Sequence, residues 1–367
     1  MTSLGYGDAV NDALERLDGL GYEWGDRNFV NHGPMGAEAL AVLGYPEQVP
    51  RWADAYRARP HHDPPPPRFA LNAAEESSWR PSLGAFERAG DWEQLFVGEL
   101  AESHWREVLA RWWPRLLPGL LAGLTHGAIR TAHAVRHLST VTQPTPLQLT
   151  ELARALAYWA ARFTTLPGQP RLGGSLSVAD AVAALPRPPA QEGAGLDAPE
   201  HRLGRLAQFP GYAESLHTLA PEHAQWLLSE MTTQFAGVYL AHPEVMPVPL
   251  IHAVTAPAAV RLVLPHLPTE QHEPSAAALW QVHTALLLAF TSHRGDEPAI
   301  QARAAETEPP GFAELAARAA ENGDEHVLKF TEACQREHAL RPDPRYPAAV
   351  LAAQQRIHDA QETIRHL

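Results

Sequence analysis

The chain of 367 residues has one cysteine, Cys334, and one lysine, Lys329, among 29 basic side chains. A lone cysteine excludes an internal disulfide and any multi-cysteine zinc or iron-sulfur site. Basic clusters are missing and the net charge is -13, which argues against nucleic acid and against a membrane surface, since both need a positive footprint. No positive region followed by an apolar stretch opens the chain, so no secretory signal is read. The most apolar window taken from the sequence, Leu116 to Leu124, is short and contains Pro118, too little to span a bilayer. These absences make a cytoplasmic location the expectation. Scarcity of lysine fits a coding bias toward GC-rich codons in a chain also rich in alanine and proline. The surviving lysine is then a candidate for chemistry that a guanidinium, always protonated, cannot perform.

What is present is globular: 45% hydrophobic and 19% charged residues, enough to bury a large core. Alternating strand patterns hardly occur, whereas apolar residues recur at three- and four-residue intervals, so the expected class is all-α. Candidate helices include Asp8 to Leu20, Gly36 to Leu43, Asp91 to Leu124 with a break near Pro114 and Pro118, Ala128 to Leu138, Leu147 to Phe163, Ala276 to Ser292 and Asp324 to His338. A C-terminal helix is expected over 347–365. Two stretches read as irregular: Arg59 to Phe69, with four consecutive prolines, and Leu185 to Leu203, rich in Pro, Gly and acid. No repeat of 20 to 50 residues is present, which argues against a solenoid. The expected architecture is a single helical domain over 1–367, with an excursion at 185–203.

With 20 histidines and one cysteine, any metal site must use imidazole and oxygen. In Leu124 to Leu138, LTHGAIRTAHAVRHL, the side chains of His126, Arg130, His133 and His137 fall within about 60° on one helix face. That is either a wet face or a functional one. Imidazole costs helix propensity, and it suits ligation or proton transfer. His133 and His137 have a four-residue spacing compatible with one metal. In Phe29 to Leu40, FVNHGPMGAEAL, Pro34 can begin a helix, and His32 sits on the turn before it, where Asn31 or His32 caps or His32 enters a pocket. His252 and His283 lie in apolar helices and read first as core residues. In Asp324 to Cys334, DEHVLKFTEAC, Glu325 and Lys329 have salt-bridge spacing and Glu332 and Arg336 point the same way, which suggests a solvated face. The alternative is a buried, neutral Lys329 that acts as a base or adds carbon dioxide to give a metal-binding carbamate. Trp105, Trp112, Trp113, Trp159, Trp226 and Trp280 are candidates for an apolar pocket or for the core.

The segments FVNHGPMGAEAL, LTHGAIRTAH, LIHAVTA and DEHVLK, in that order, resemble the questin oxidase-like family over most of the chain, from about Phe29 to Lys329. NHGPM and THGAIR are fairly specific in combination. The resemblance implies an oxygenase that opens a ring of an anthraquinone-type aromatic polyketide, with O2 as co-substrate. It further implies a non-haem Fe(II) centre bound by His32, His126, His252 and a carboxylated Lys329, with His133 as a fifth ligand. Where fungal members read His-Pro-x-x-His, this chain has Arg130 and offers His133 three residues later, which leaves the second ligand on that helix open. Arg130 is then a candidate for binding a substrate phenolate, and His137 for proton transfer. Two other readings keep the helical fold: a metal-free Baeyer-Villiger-type oxidase with NADPH as reductant, and a non-catalytic ligand-binding protein. No GxGxxG follows a strand, so a nucleotide would come from solution.

Overall fold

The computed structural model describes residues 4–188, 199–293, 295–306 and 308–365. It is all-α, as expected. The only strands among the described residues, Glu23–Trp24 and Phe29–Val30, form a two-residue antiparallel hairpin pairing Glu23 with Val30 and Trp24 with Phe29. The expected C-terminal helix runs Arg345–Arg365. The expected long helix over Asp91 to Leu124 breaks earlier than the prolines suggested. It forms Ala89–Glu102 and Trp105–Leu116, with Pro114 inside the second helix and His104 capping its start through the amide of Arg106. A cap between two amphipathic stretches ends a helix more cleanly than a proline that packing tolerates. Most of the 185–203 excursion falls outside the described residues.

The chain divides into two compact units built from interleaved segments. The first comprises Met1–Thr165, Pro265–Leu267 and Gly323–Glu332, and the second Leu166–Leu264, Pro268–Asn322 and Ala333–Leu367. The chain returns to the first unit twice from far along the sequence, which local composition cannot reveal.

In the first unit, helix Tyr6–Leu17 buries Ala9, Val10, Ala13, Leu14 and Leu17, a stripe at helical spacing. Helix Pro146–Ala161 starts from a capping box in which Thr145 and Gln148 exchange side-chain and backbone hydrogen bonds, with proline in its first turn. It packs so closely on helix His126–Ser139 that a Cβ at Gly127 would lie 2.5 Å from Cβ of Trp159. The His126 helix is therefore buried on nearly all sides, and its polar face meets protein rather than water.

The polar groups of that face are satisfied by carboxylates from neighbouring helices. Glu38, on helix Gly33–Val42, accepts from Tyr6 Oη at 2.6 Å, His133 Nδ1 at 2.7 Å and the Arg136 guanidinium, which also bonds Glu332. Arg130 makes a bidentate pair with Glu151 at 2.7 Å for both bonds. Such pairs hold helices in register, because removing one partner strands a buried charge.

In the second unit, helices Ala224–Ala241, Pro247–Val263 and His272–Phe290 are apolar nearly all round and buried accordingly. The stretch Pro247–His266 has the length and composition to cross a membrane but is mostly buried here, so a longer apolar window exists than Leu116 to Leu124. His283 is a core residue: its ring stacks on Phe235 with centroids 3.8 Å apart, and Nε2 donates to the Ala253 carbonyl at 2.7 Å. Burial holds its pKa down at about 3.

Burial alone would push the Glu38 carboxyl up, but Arg136 and His133 outweigh it and hold the group well below its ordinary 4.5. A carboxylate depressed on folding contributes stability above its unfolded pKa and loses it as pH falls toward the folded value. Glu38→Gln is expected to cost about 3–5 kcal/mol at pH 7 and to flatten the acid decline of the wild type. Urea unfolding at pH 7 and at decreasing pH reads both, and a cost below about 1 kcal/mol would contradict a buried network.

Candidate metal centre

His32 follows the hairpin and occupies the N-cap position of helix Gly33–Val42 without capping it. Asn31 makes the turn instead: its Oδ1 accepts from Gly33 N at 2.9 Å and its Nδ2 donates to the Gly21 carbonyl at 2.7 Å. The His32 amide donates to Tyr56 Oη at 2.6 Å. Its imidazole, 4% exposed with the residue, is oriented by Nδ1 at 2.6 Å from the Val30 carbonyl. His126, the first residue of its helix and also 4% exposed, is oriented alike by the Gly123 carbonyl at Nδ1.

A carbonyl oxygen only accepts, so each Nδ1 carries the proton and each neutral ring presents Nε2 as an acceptor. Those two nitrogens face each other at 2.5 Å. Two lone pairs at that separation repel unless a cation lies with them.

A third imidazole joins them. His326, half-buried near the start of helix Glu325–Leu340, stacks edge-on against His32 with ring centroids 4.6 Å apart. Its Nδ1 is 3.5 Å from Asp324 Oδ1, which also accepts from the His326 amide at 2.8 Å. One ligand atom from each of His32, His126 and His326 lies within 4.8 Å of the others. All three rings are thus tied at Nδ1 by an oxygen, the outer-shell pattern that fixes tautomer and aim in metal sites. Burial, and then the nearby Lys329, push the His126 imidazole well below its ordinary 6.5, which keeps it neutral and able to ligate.

Lys329 lies one turn beyond His326. It is 1% exposed and its Nζ has no hydrogen-bond partner. The solvated face expected for this segment is not present: Glu325 is buried and forks onto Arg59 at 2.9 and 3.0 Å, Glu332 pairs with Arg136, and Arg336 bonds Glu337. Desolvation, only partly offset by Glu325 and Asp324, lowers the Lys329 amine to about 7. A buried donor with no acceptor beside three convergent imidazoles fits a site that takes a cation and an anionic oxygen together.

Three of the other expected residues, His133, Arg130 and His137, are engaged elsewhere. His133 is engaged by Glu38 and Arg130 by Glu151, so neither points at the three imidazoles. His137 meets Tyr6 edge-on at 5.9 Å and approaches Gln148 Nε2 at 3.5 Å. His252 is buried on the Pro247–Val263 helix of the second unit. Of the tryptophans, Trp112, Trp113, Trp159 and Trp280 are core, Trp105 packs on His104 and His266, and Trp226 is half-exposed under Arg341. His326 is not among the expected residues, although its three-residue spacing from Lys329 places both on one helix face.

Immediately before His126 the backbone is left-handed at three successive residues, Gly123, Leu124 and Thr125, with φ of 53°, 57° and 69°. For a leucine and a β-branched threonine this is strained, at about 1–3 kcal/mol each. No protein-family model and no curated protein matches the sequence.

A lysine whose pKa falls on folding destabilises the folded state: the penalty is full below about 7 and shrinks to nothing as pH approaches the ordinary 10.5. Lys329→Met in metal-free, CO2-free buffer is therefore expected to stabilise by on the order of 5 kcal/mol at pH 7. That gain should fade toward pH 10. Thermal unfolding across this range checks it, and an equal or lower midpoint for the variant at pH 7 would contradict the burial of Nζ.

Proposed function

We propose that the protein is a cytoplasmic non-haem iron oxygenase that oxidatively cleaves a ring of an anthraquinone-type polycyclic aromatic substrate. Its Fe(II) would be held by His32, His126 and His326, with Lys329, carboxylated at Nζ, supplying an anionic oxygen. The observation that carries this reading is the convergence of the His32 and His126 Nε2 atoms at 2.5 Å with both Nδ1 atoms tied to backbone carbonyls. Neutral imidazoles with one carboxylate-like oxygen suit Fe(II) and leave positions open. When bound, iron supplies the one-electron chemistry that lets O2 react with an aromatic ring.

The chain's own residues prepare the site. Val30, Gly123 and Asp324 fix the three imidazole tautomers. Lys329, with an amine near 7, is substantially neutral at cellular pH. Its Nζ lone pair can attack CO2, forming an N–C bond and a carbamate while the amine proton leaves to solvent. The carbamate turns an unpaired buried donor into an oxygen ligand, which arginine cannot become. Arg130 is committed to Glu151, so it is not the group that binds a substrate phenolate. The substrate class, and His252 as a further ligand, rest on the resemblance of FVNHGPMGAEAL, LTHGAIRTAH, LIHAVTA and DEHVLK to the questin oxidase-like segments.

Protein reconstituted anaerobically with Fe(II) in bicarbonate buffer and desalted is expected to retain about one iron. His126→Ala and His326→Ala should each weaken retention at least tenfold, while His133→Ala should retain iron normally. Reconstituted wild type should consume O2 in the presence of a hydroxyanthraquinone, and Lys329→Arg should not. Less than about half an equivalent of iron in the wild type would sink the metal reading. A full complement of iron without O2 uptake on any hydroxyanthraquinone tested would sink the substrate class alone.

A further inference from the structure

The left-handed run before His126 has a role that follows from what it holds. Gly123 cannot carry a side chain, because a Cβ there would lie 2.8 Å from Tyr158 Oη. Leu124 and Thr125 carry side chains in a backbone region that glycine adopts freely and they do not. Thr125 is fully buried and, although at the N-cap position, does not cap the helix with its hydroxyl. The strain is instead fixed by the surroundings: Thr125 N bonds the Leu121 carbonyl at 3.2 Å, Ile129 N bonds the Thr125 carbonyl at 3.0 Å, and Trp159 Nε1 bonds the Gly119 carbonyl at 3.0 Å. What the run delivers is one atom. The Gly123 carbonyl is brought to the His126 amide at 3.4 Å and to His126 Nδ1, and the second contact sets the tautomer.

We infer that Leu124 and Thr125 are positioning residues: by confining the run to its left-handed form they lock the Gly123 carbonyl onto His126 and so preset Nε2 for the metal. A glycine at either place would relieve the strain but widen the well, because it populates both signs of φ. The carbonyl would then leave Nδ1 for part of the time, freeing the ring to turn and to exchange tautomers. Strain at a ligand-bearing turn is thus exchanged for pre-organisation. This rests on the metal centre proposed above.

The test compares Leu124→Gly with Leu124→Asn. Both truncate a half-buried leucine, but asparagine keeps a Cβ and tolerates the left-handed region, whereas glycine leaves it unrestrained. Metal-free Leu124→Gly should melt at or above Leu124→Asn. Titrated with Co(II), Leu124→Gly should bind about tenfold more weakly than the wild type and show a shifted visible d–d band, as expected for loss of a partner that orients a ligand. Leu124→Asn should keep the wild-type band. If Leu124→Gly does not fold, the same pair is made at Thr125. A glycine variant with wild-type Co(II) affinity and band overturns the positioning role while leaving the centre intact. A wild type that gives no d–d band on Co(II) addition overturns the centre, and the positioning role with it.

Discussion

Two imidazole lone pairs aimed at each other in a dry interior repel, and the rest of the first unit is arranged so that they cannot turn away. The carbonyls of Val30 and Gly123 claim the Nδ1 protons of His32 and His126, and the rings are nearly perpendicular with centroids 4.4 Å apart. In water each ring would rotate or take a second proton. Burial pushes His126 away from protonation, and the backbone blocks rotation. A cation would settle the pair, and the metal ion proposed above, with His326 beside it, is one that neutral imidazoles bind.

The helices serve that arrangement. His32, His126 and His326 each stand at or near a helix N-terminus, where the aligned peptide dipoles disfavour positive charge on a side chain. The same field favours an anion, and the buried Lys329 amine is the group in that region able to become one. Around this dry centre the charges are paired outward: Glu325 with Arg59, Glu332 and Glu38 with Arg136, Glu151 with Arg130. These pairs lock the helices that carry the imidazoles to their neighbours.

The all-α class and the Pro-initiated helix after the turn at FVNHGPM were legible in the sequence, because periodicity and a helix start are local, whereas His32 and His126 were grouped only by the family resemblance. The fate of the rest of the His126 face was not. His126, Arg130 and His133 share one face by periodicity, yet they meet three partners: the other imidazoles, Glu151 and Glu38, the last 95 residues away along the chain. Lys329 shows the same limit more sharply. Its spacing from Glu325 suggests a surface ion pair, but Arg59, 266 residues away, takes Glu325 and leaves the amine buried. His326 carries no sequence signal of its own beside Lys329, although the two share a face. Strain at Leu124 and Thr125 had no sequence signal at all, since neither residue type advertises positive φ.

The central claim is that His32 and His126 present their Nε2 lone pairs to a shared cation. Long-range 1H–15N correlation spectra of 15N-histidine protein, recorded metal-free and with one equivalent of diamagnetic Zn(II), test it directly. The account predicts that both residues are Nδ1–H tautomers in the zinc-loaded protein and that both Nε2 resonances move on zinc addition. An Nε2–H proton on either ring after zinc is added, or Nε2 resonances that zinc leaves unmoved, would contradict it.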